Sequence, residues 1–244
     1  MRFQNSYLEM LEWWGHEWSE STALLKDVVN IRRGLLNTTG VCCVRDPPLG
    51  CMQGVFSMVR FYELSFDDDL TRWQLGLARR FADGTPVDIW AYRRCTIIES
   101  SRPVPLEVTR AGKEVDYNDT AFSATVVSER LAEIWKSFTP GRIQLLPAEI
   151  ARSSSVWYVA NFLDCVDCID HARSRIKYCP ADDPDRPLKP RSVMRMVIDC
   201  ARAEGHHLFR VADWKVAVIV SAELREAMEE RGFSGVEYEP ASEE

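Results

Sequence analysis

LFRVADWKVAVIVSAELREAMEERGFSGVEYEP, residues 208 to 240, is the stretch around which the chain is organised. A mixed apolar run, Trp214 to Val220, feeds Ser221, and Leu224, Ala227 and Met228 then recur at helical spacing, one face of roughly two turns. Ser221 suits an N-cap, because its hydroxyl can accept from the free amides of the first turn. Glu223 sits where the helix dipole favours an acid. Arg231 and Gly232 supply the C-terminal exit, and Val236, Tyr238 and Pro240 read as a short strand closed by the proline.

The same grammar occurs upstream. Val127-Ser128 matches Val220-Ser221, Leu131 matches Leu224, Ile143 matches Val236, and Pro147-Ala148 matches Pro240-Ala241, all at a separation of 93 residues. The spacing predicts a capped helix–strand unit used twice, too few copies for a solenoid.

Working outward, composition sets the class. A chain of 244 residues that is 46% hydrophobic and 27% charged can bury a large core, and it is not of disordered composition. No apolar run approaches the ~20 residues a membrane helix needs. The start, MRFQNSYLEMLEWWGHEWSE, carries acids and tryptophans where a secretory signal would carry a basic tip and an apolar core, so a cytoplasmic location is expected. A net charge of -7 argues against a general nucleic-acid binder, which needs a basic surface to recruit phosphates. From Ala222 onward the acids Glu223, Glu226, Glu229, Glu230, Glu237, Glu239, Glu243 and Glu244 face only Arg225 and Arg231. Such a face keeps a protein soluble and can also steer a basic partner. The 8 cysteines, in a long chain without an export signal, read as free thiols, several of them simply buried.

Tyr7 to Ile31 carries helical apolar spacing, and Leu35 to Gly54 has no period at all, so residues 1–57 read as an extension, helical and then irregular. From Met58 the pattern changes to short strands at Phe61–Phe66, Arg72–Gly76, Val87–Tyr92, Leu106–Val108 and Val115–Tyr117. Val156–Ala160 barely alternates, which suits a central strand, and Val193–Ile198 is another strand candidate. Strands of this kind preceding helices predict an α+β fold, short mixed or antiparallel strands with packed helices, over residues 58–244, with sub-lobes at 58–150 and 151–244.

Two constellations carry possible chemistry. Cys165, Cys168, His171 and Cys179 are of the right types for zinc, but there is one CxxC pair and no second, so buried thiols are the stronger reading. Asp164, Asp167 and Asp170 recur every third residue beside His171; on a helix they would crowd one side, where a divalent ion could relieve them. The plainer reading is a polar helix face with Asp170 as a cap ahead of Ala172-Arg173-Ser174. His206-His207 offers a base without a nucleophile motif nearby. P-loop, Rossmann, HExxH and GxSxG signatures are absent, and no cofactor is expected.

RFYELS at 60–65, RWQLG at 72–76, GKEVDYNDTAF at 112–122, VVSERLAEIW at 126–135, VDCIDHARS at 166–174 and FRVADWKVAVIVSAELREAMEERGFSGVEYEP at 209–240 together resemble a myxobacteria-rich family. Its members, once a domain of unknown function, are regarded as immunity proteins of polymorphic toxin systems. The resemblance covers about residues 58–240. It implies a non-enzymatic cytoplasmic protein that binds and neutralises a cognate toxin, and it carries over no catalytic residue. Residues 1–57 fall outside the pattern, as an added arm or as the result of a start codon assigned upstream of Met58. Glu223, Glu226, Glu229 and Glu230 are the candidate toxin-contacting residues, facing a basic partner such as a nuclease domain. The alternative is a small metal-dependent hydrolase built on Asp164, Asp167, Asp170 and His171, with His206 or His207.

Overall fold

The structure is a computed structural model that describes residues 60–67, 69–100, 102–120, 124–151 and 153–242. All of these belong to the second of the two units into which the chain divides, Ser57–Glu244. The expectations for residues 1–57, and for Met58 as a start, lie outside the described residues.

In chain order the strands are β1 (Phe61–Phe66), β2 (Gln74–Leu77), β3 (Val104–Arg110), β4 (Tyr117–Asp119), β5 (Thr125–Ser128), β6 (Ile143–Ile150), β7 (Trp157–Phe162), β8 (Cys165–Val166), β9 (Arg175–Tyr178), β10 (Pro190–Arg195), β11 (Leu208–Val211), β12 (Trp214–Ser221) and β13 (Val236–Pro240). Helix α1 (Glu129–Phe138) follows β5, and α2 (Ala222–Glu230) follows β12. A six-stranded sheet runs β2-β3-β6-β7-β5-β4, a five-stranded sheet runs β13-β1-β12-β11-β8, and β9 with β10 forms a separate hairpin. Pairing is antiparallel except for β3 with β6 and β8 with β11.

These elements correct the α+β expectation. Among the described residues strand makes up 41% and helix 12%, so the fold is mostly β, with two α-helices. The physical reason is that β2 and β4, the two edges of the six-stranded sheet, approach each other. The sheet therefore curls nearly closed and fills itself, with Trp73, Leu75, Leu106, Val126, Leu146 and Val159 inside. It needs no layer of helices to bury that face. Val87–Tyr92 is a second correction. Its alternation predicts a strand, yet the chain forms a 3-10 helix over Ala91–Arg93. Asp88 explains it by accepting from the Trp90 amide at 3.1 Å and from the Arg94 guanidinium at 2.6 Å, a local turn that replaces a ladder.

Both helices fill the space between the two sheets. Val127, Ala160 and Phe162 from one sheet and Leu64, Val218 and Val220 from the other meet Leu131, Trp135, Leu224 and Met228 from the helices. The outer face of the five-stranded sheet forms a third core, where Phe61, Phe209 and Ile219 are covered by Ile169, Met196 and Ile198. Strands β5, β7 and β12 are buried on both faces, which is why their sequences run apolar without alternating.

The strand–helix–strand unit occurs twice, as β5-α1-β6 and β12-α2-β13. Each copy clasps one further antiparallel strand in the same register. Ser128 and Ile143 lie across from Trp157 and Phe162 of β7, and Ser221 and Val236 lie across from Phe61 and Phe66 of β1. Equivalent helix positions meet where the copies touch: Trp135 Nε1 donates to Met228 Sδ at 3.4 Å, across 93 residues. Two glycines allow the close crossings around this unit. A Cβ at Gly112 would fall 2.3 Å from the Arg72 carbonyl carbon, and one at Gly235, at φ 87°, would fall 2.5 Å from the Tyr117 carbonyl oxygen.

Candidate functional site

Helix α2 is positioned from its first residue. Strand β12 delivers Ser221 in extended conformation, φ -73° and ψ 160°, and its Oγ accepts from the Leu224 amide at 3.3 Å. His207 Nδ1 lies 2.9 Å from the same hydroxyl and ties β11 to the cap. Ser128 takes the equivalent place before α1 but does not cap through its side chain; its hydroxyl donates to Asp116 Oδ1 at 2.8 Å.

With Leu224 and Met228 fully buried, the helical period turns Glu223, Glu226, Glu229 and Glu230 to solvent, and all four are exposed. They are not equivalent. Glu229 accepts from Arg225 at 2.9 Å, and that guanidinium lies 4.3 Å above the Tyr62 ring. Hydrogen bonds from its own backbone amide and then from the Ser221 hydroxyl hold the Glu223 carboxyl below its ordinary value, so it stays ionised at the helix start. Glu226 and Glu230 have no ion-pair partner among the described residues.

Beside α2 lies an open groove of about 440 Å³, lined by Arg130, Glu133, Ile134, Ser137, Arg231 and Phe233. Asp116 anchors its rim. The Asp116 carboxylate accepts from Arg130 Nε at 2.7 Å, from the Ser128 hydroxyl, and from the Ser234 amide and hydroxyl at 3.0 and 2.8 Å. Burial alone would raise its pKa, but the Arg130 guanidinium and the serine donors outweigh that and hold it well below the usual carboxylate range.

The structure disperses the other candidates. The segment from Asp164 to His171 is not helical, so the three aspartates do not share a helix side. Asp164 meets His206 Nδ1 at 2.9 Å and Arg142 at 3.3 Å; Asp167 faces Arg202 at 3.8 Å; Asp170 pairs with Arg173 at 2.7 Å. Asp170 also accepts from the Ala172 and Arg173 amides, both at 3.0 Å, but it closes a turn rather than capping a helix, since none follows it. His171 Nδ1 lies 2.7 Å from the Tyr178 hydroxyl. Asp164 and His206 do come together, but Arg142 closes the pair, and neither this cluster nor His207 lines the α1–α2 groove.

Cys165, Cys168, His171 and Cys179 form no metal-holding group; among the described residues no three His, Cys, Asp or Glu side chains do. Cys168 is buried, with its Sγ donating to the Val166 carbonyl, and burial followed by Asp167 pushes its thiol up to about 12. Cys165 instead neighbours the Cys95 thiol, itself pushed up to about 12 by burial and then by that contact. Sequence reasoning missed Asp116 and the groove it frames, because the contacts that complete them span more than 100 residues, from Ser234 to Asp116 and from Arg130 to the Gly232 carbonyl. No helix among the described residues is long and apolar enough to cross a membrane.

No curated protein matches the chain. A model of the immunity protein family (Imm11) matches residues 65–243, from the end of β1 through both strand–helix–strand units and the α2 face. With that match extending over well more than half of its length, the chain belongs to the immunity protein family Imm11.

Proposed function

We propose that this immunity protein neutralises a cognate toxin by binding over its active cleft, with the solvent face of α2 steering a basic toxin domain into contact. One observation supports the steering role above the rest: the carboxylates of α2 project to solvent from a helix whose other side is locked into the core, and Glu226 and Glu230 lack neutralising partners among the described residues. A nuclease domain fits this reading, because a protein that holds a polyanion carries a basic surface. The contact set of Glu223, Glu226, Glu229 and Glu230 then divides by role. Glu226 and Glu230 supply the field, while Glu229 is screened by Arg225 and Glu223 is held at the cap.

Binding kinetics test this, using the product of the adjacent toxin-like gene. The double variant Glu226→Arg/Glu230→Arg is expected to associate about tenfold more slowly at low salt, with the gap closing as ionic strength rises. Equal association rates at low salt would reduce the helix to a solvated face. An unmodified protein that neither binds nor protects would remove the occlusion reading itself.

A further inference from the structure

The β9–β10 hairpin carries a charge opposite to that of the molecule. Between His171 and Arg195 the sequence holds seven Lys or Arg residues against three Asp, in a chain of net charge -7. The three acids belong to the connecting loop, where Asp183 accepts from the Asp185 and Arg186 amides, so the stem is cationic. The ladder places Ile176 across from Val193, and both pack against the third core. Alternation therefore sends Arg175 and Lys177 outward, and Arg191 sits exposed at the bulge beside them. None of the three has an ion-pair or hydrogen-bond partner among the described side chains.

Apolar side chains stand among these cations. Met194, next to the inward Val193, is 46% exposed, and Leu188, in the connecting loop, is 65% exposed with φ 56°. Such apolar surface is ordinary when scattered, but here it shares one ribbon with unpaired cations. Arginine and methionine are side chains enriched where protein surfaces meet. A core-anchored ribbon also presents them with little ordering left to lose on binding.

We infer that the outer face of the β9–β10 hairpin is a second docking surface, complementary to an acidic, partly apolar patch on the toxin. This rests on the occlusion reading and extends it, since the partner would then be bipolar, basic where it meets α2 and acidic where it meets the hairpin. A protein patch fits the chemistry better than a nucleic acid does. The molecule's net negative field repels a long polyanion, and phosphate contacts make no use of Met194 or Leu188.

The test uses the full chain and the purified product of the adjacent toxin-like gene, with a random-sequence DNA duplex as a second probe. The variant Arg175→Glu/Lys177→Glu/Arg191→Glu is expected to dissociate from the toxin at least tenfold faster and to lose protection in cells. Its melting temperature should stay unchanged, since these side chains hold nothing in place. Arg175→Gln/Lys177→Gln/Arg191→Gln should give an intermediate rate, and it serves as the reading if the reversal fails to fold. Met194→Ala should also speed dissociation, with little dependence on salt. Toxin binding by the unmodified protein with wild-type dissociation from both charge variants would overturn the hairpin alone. Duplex binding that the reversal abolishes would assign the cations to a nucleic acid and overturn a protein patch. Failure of the unmodified protein to bind the toxin would remove the occlusion reading, and the hairpin with it.

Discussion

Asp116 joins three segments that are distant in sequence: the approach to β4, the first turn of α1 and the loop between α2 and β13. Its side chain is 12% exposed whereas that of Arg130 is 54% exposed, so much of the ion pair is screened and the serine donors carry the anchoring. Asp116→Asn is therefore expected to cost roughly 1–3 kcal/mol at neutral pH. A carboxyl held below its unfolded value of 3.8 contributes stability that is fully present above that value and is lost as pH falls through the lowered one. Acid titrations of unfolding should show this loss below about pH 4 in the parent and a smaller loss in the Asn variant. Identical acid profiles for the two proteins would assign the anchoring elsewhere.

At the scale of elements, α2 is the piece that local chemistry determines most fully. Ser221→Ala removes the acceptor for the Leu224 amide and the partner of His207, and should cost about 1–2 kcal/mol. Leu224 is fully buried between the sheets, so Leu224→Ala should cost more, roughly 2–5 kcal/mol. Chemical denaturation of both variants checks the order, and a Leu224→Ala protein as stable as its parent would contradict the packing described for α2. The Asp164–His171 segment teaches the opposite lesson. A recurrence of three fits a helical face, yet here Asp164 precedes β8 while Asp167 and Asp170 follow it on an irregular path. Each meets a different arginine, that of Asp167 shared with Asp199.

At the scale of the whole molecule, the first described strand is held by the last. The Phe61 amide donates to Ser242 Oγ at 2.9 Å across 181 residues, and β1 lies between β12 and β13. Closure of this kind ties the two ends of the described residues to each other, with the Arg60 amide also donating to Ser242 Oγ at 2.8 Å. We propose that the unit Ser57–Glu244 folds without the residues before it. A chain beginning at Met58 should melt within about 4 °C of the full-length protein, the shift expected for a loss near 1 kcal/mol in a domain of this size. Limited proteolysis should trim the full chain to a stable fragment starting near that point. An unfolded truncated chain would show that the unit needs the preceding residues.

Sequence alone determined what depends on neighbours within a few residues. The cap at Ser221, the buried Leu131 and Leu224, the outward turn of the α2 glutamates and the apolar central strand β7 follow from capping and periodicity. Ser128, by contrast, starts α1 without a side-chain cap. The family was legible as well, because its motifs are short and keep their order. Tertiary structure decided whatever depends on which strand pairs with which. It bent the six-stranded sheet onto itself, which made the fold mostly β, and it gave β7 and β1 equivalent places beside two units 93 residues apart. By docking Ile176 and Val193 into the third core, it also turned Arg175 and Lys177 outward. The physical reason is that a strand's hydrogen bonds are satisfied by partners far along the chain. The residues that form a strand therefore do not encode its neighbour, whereas a helix satisfies its own backbone and shows its faces in its period.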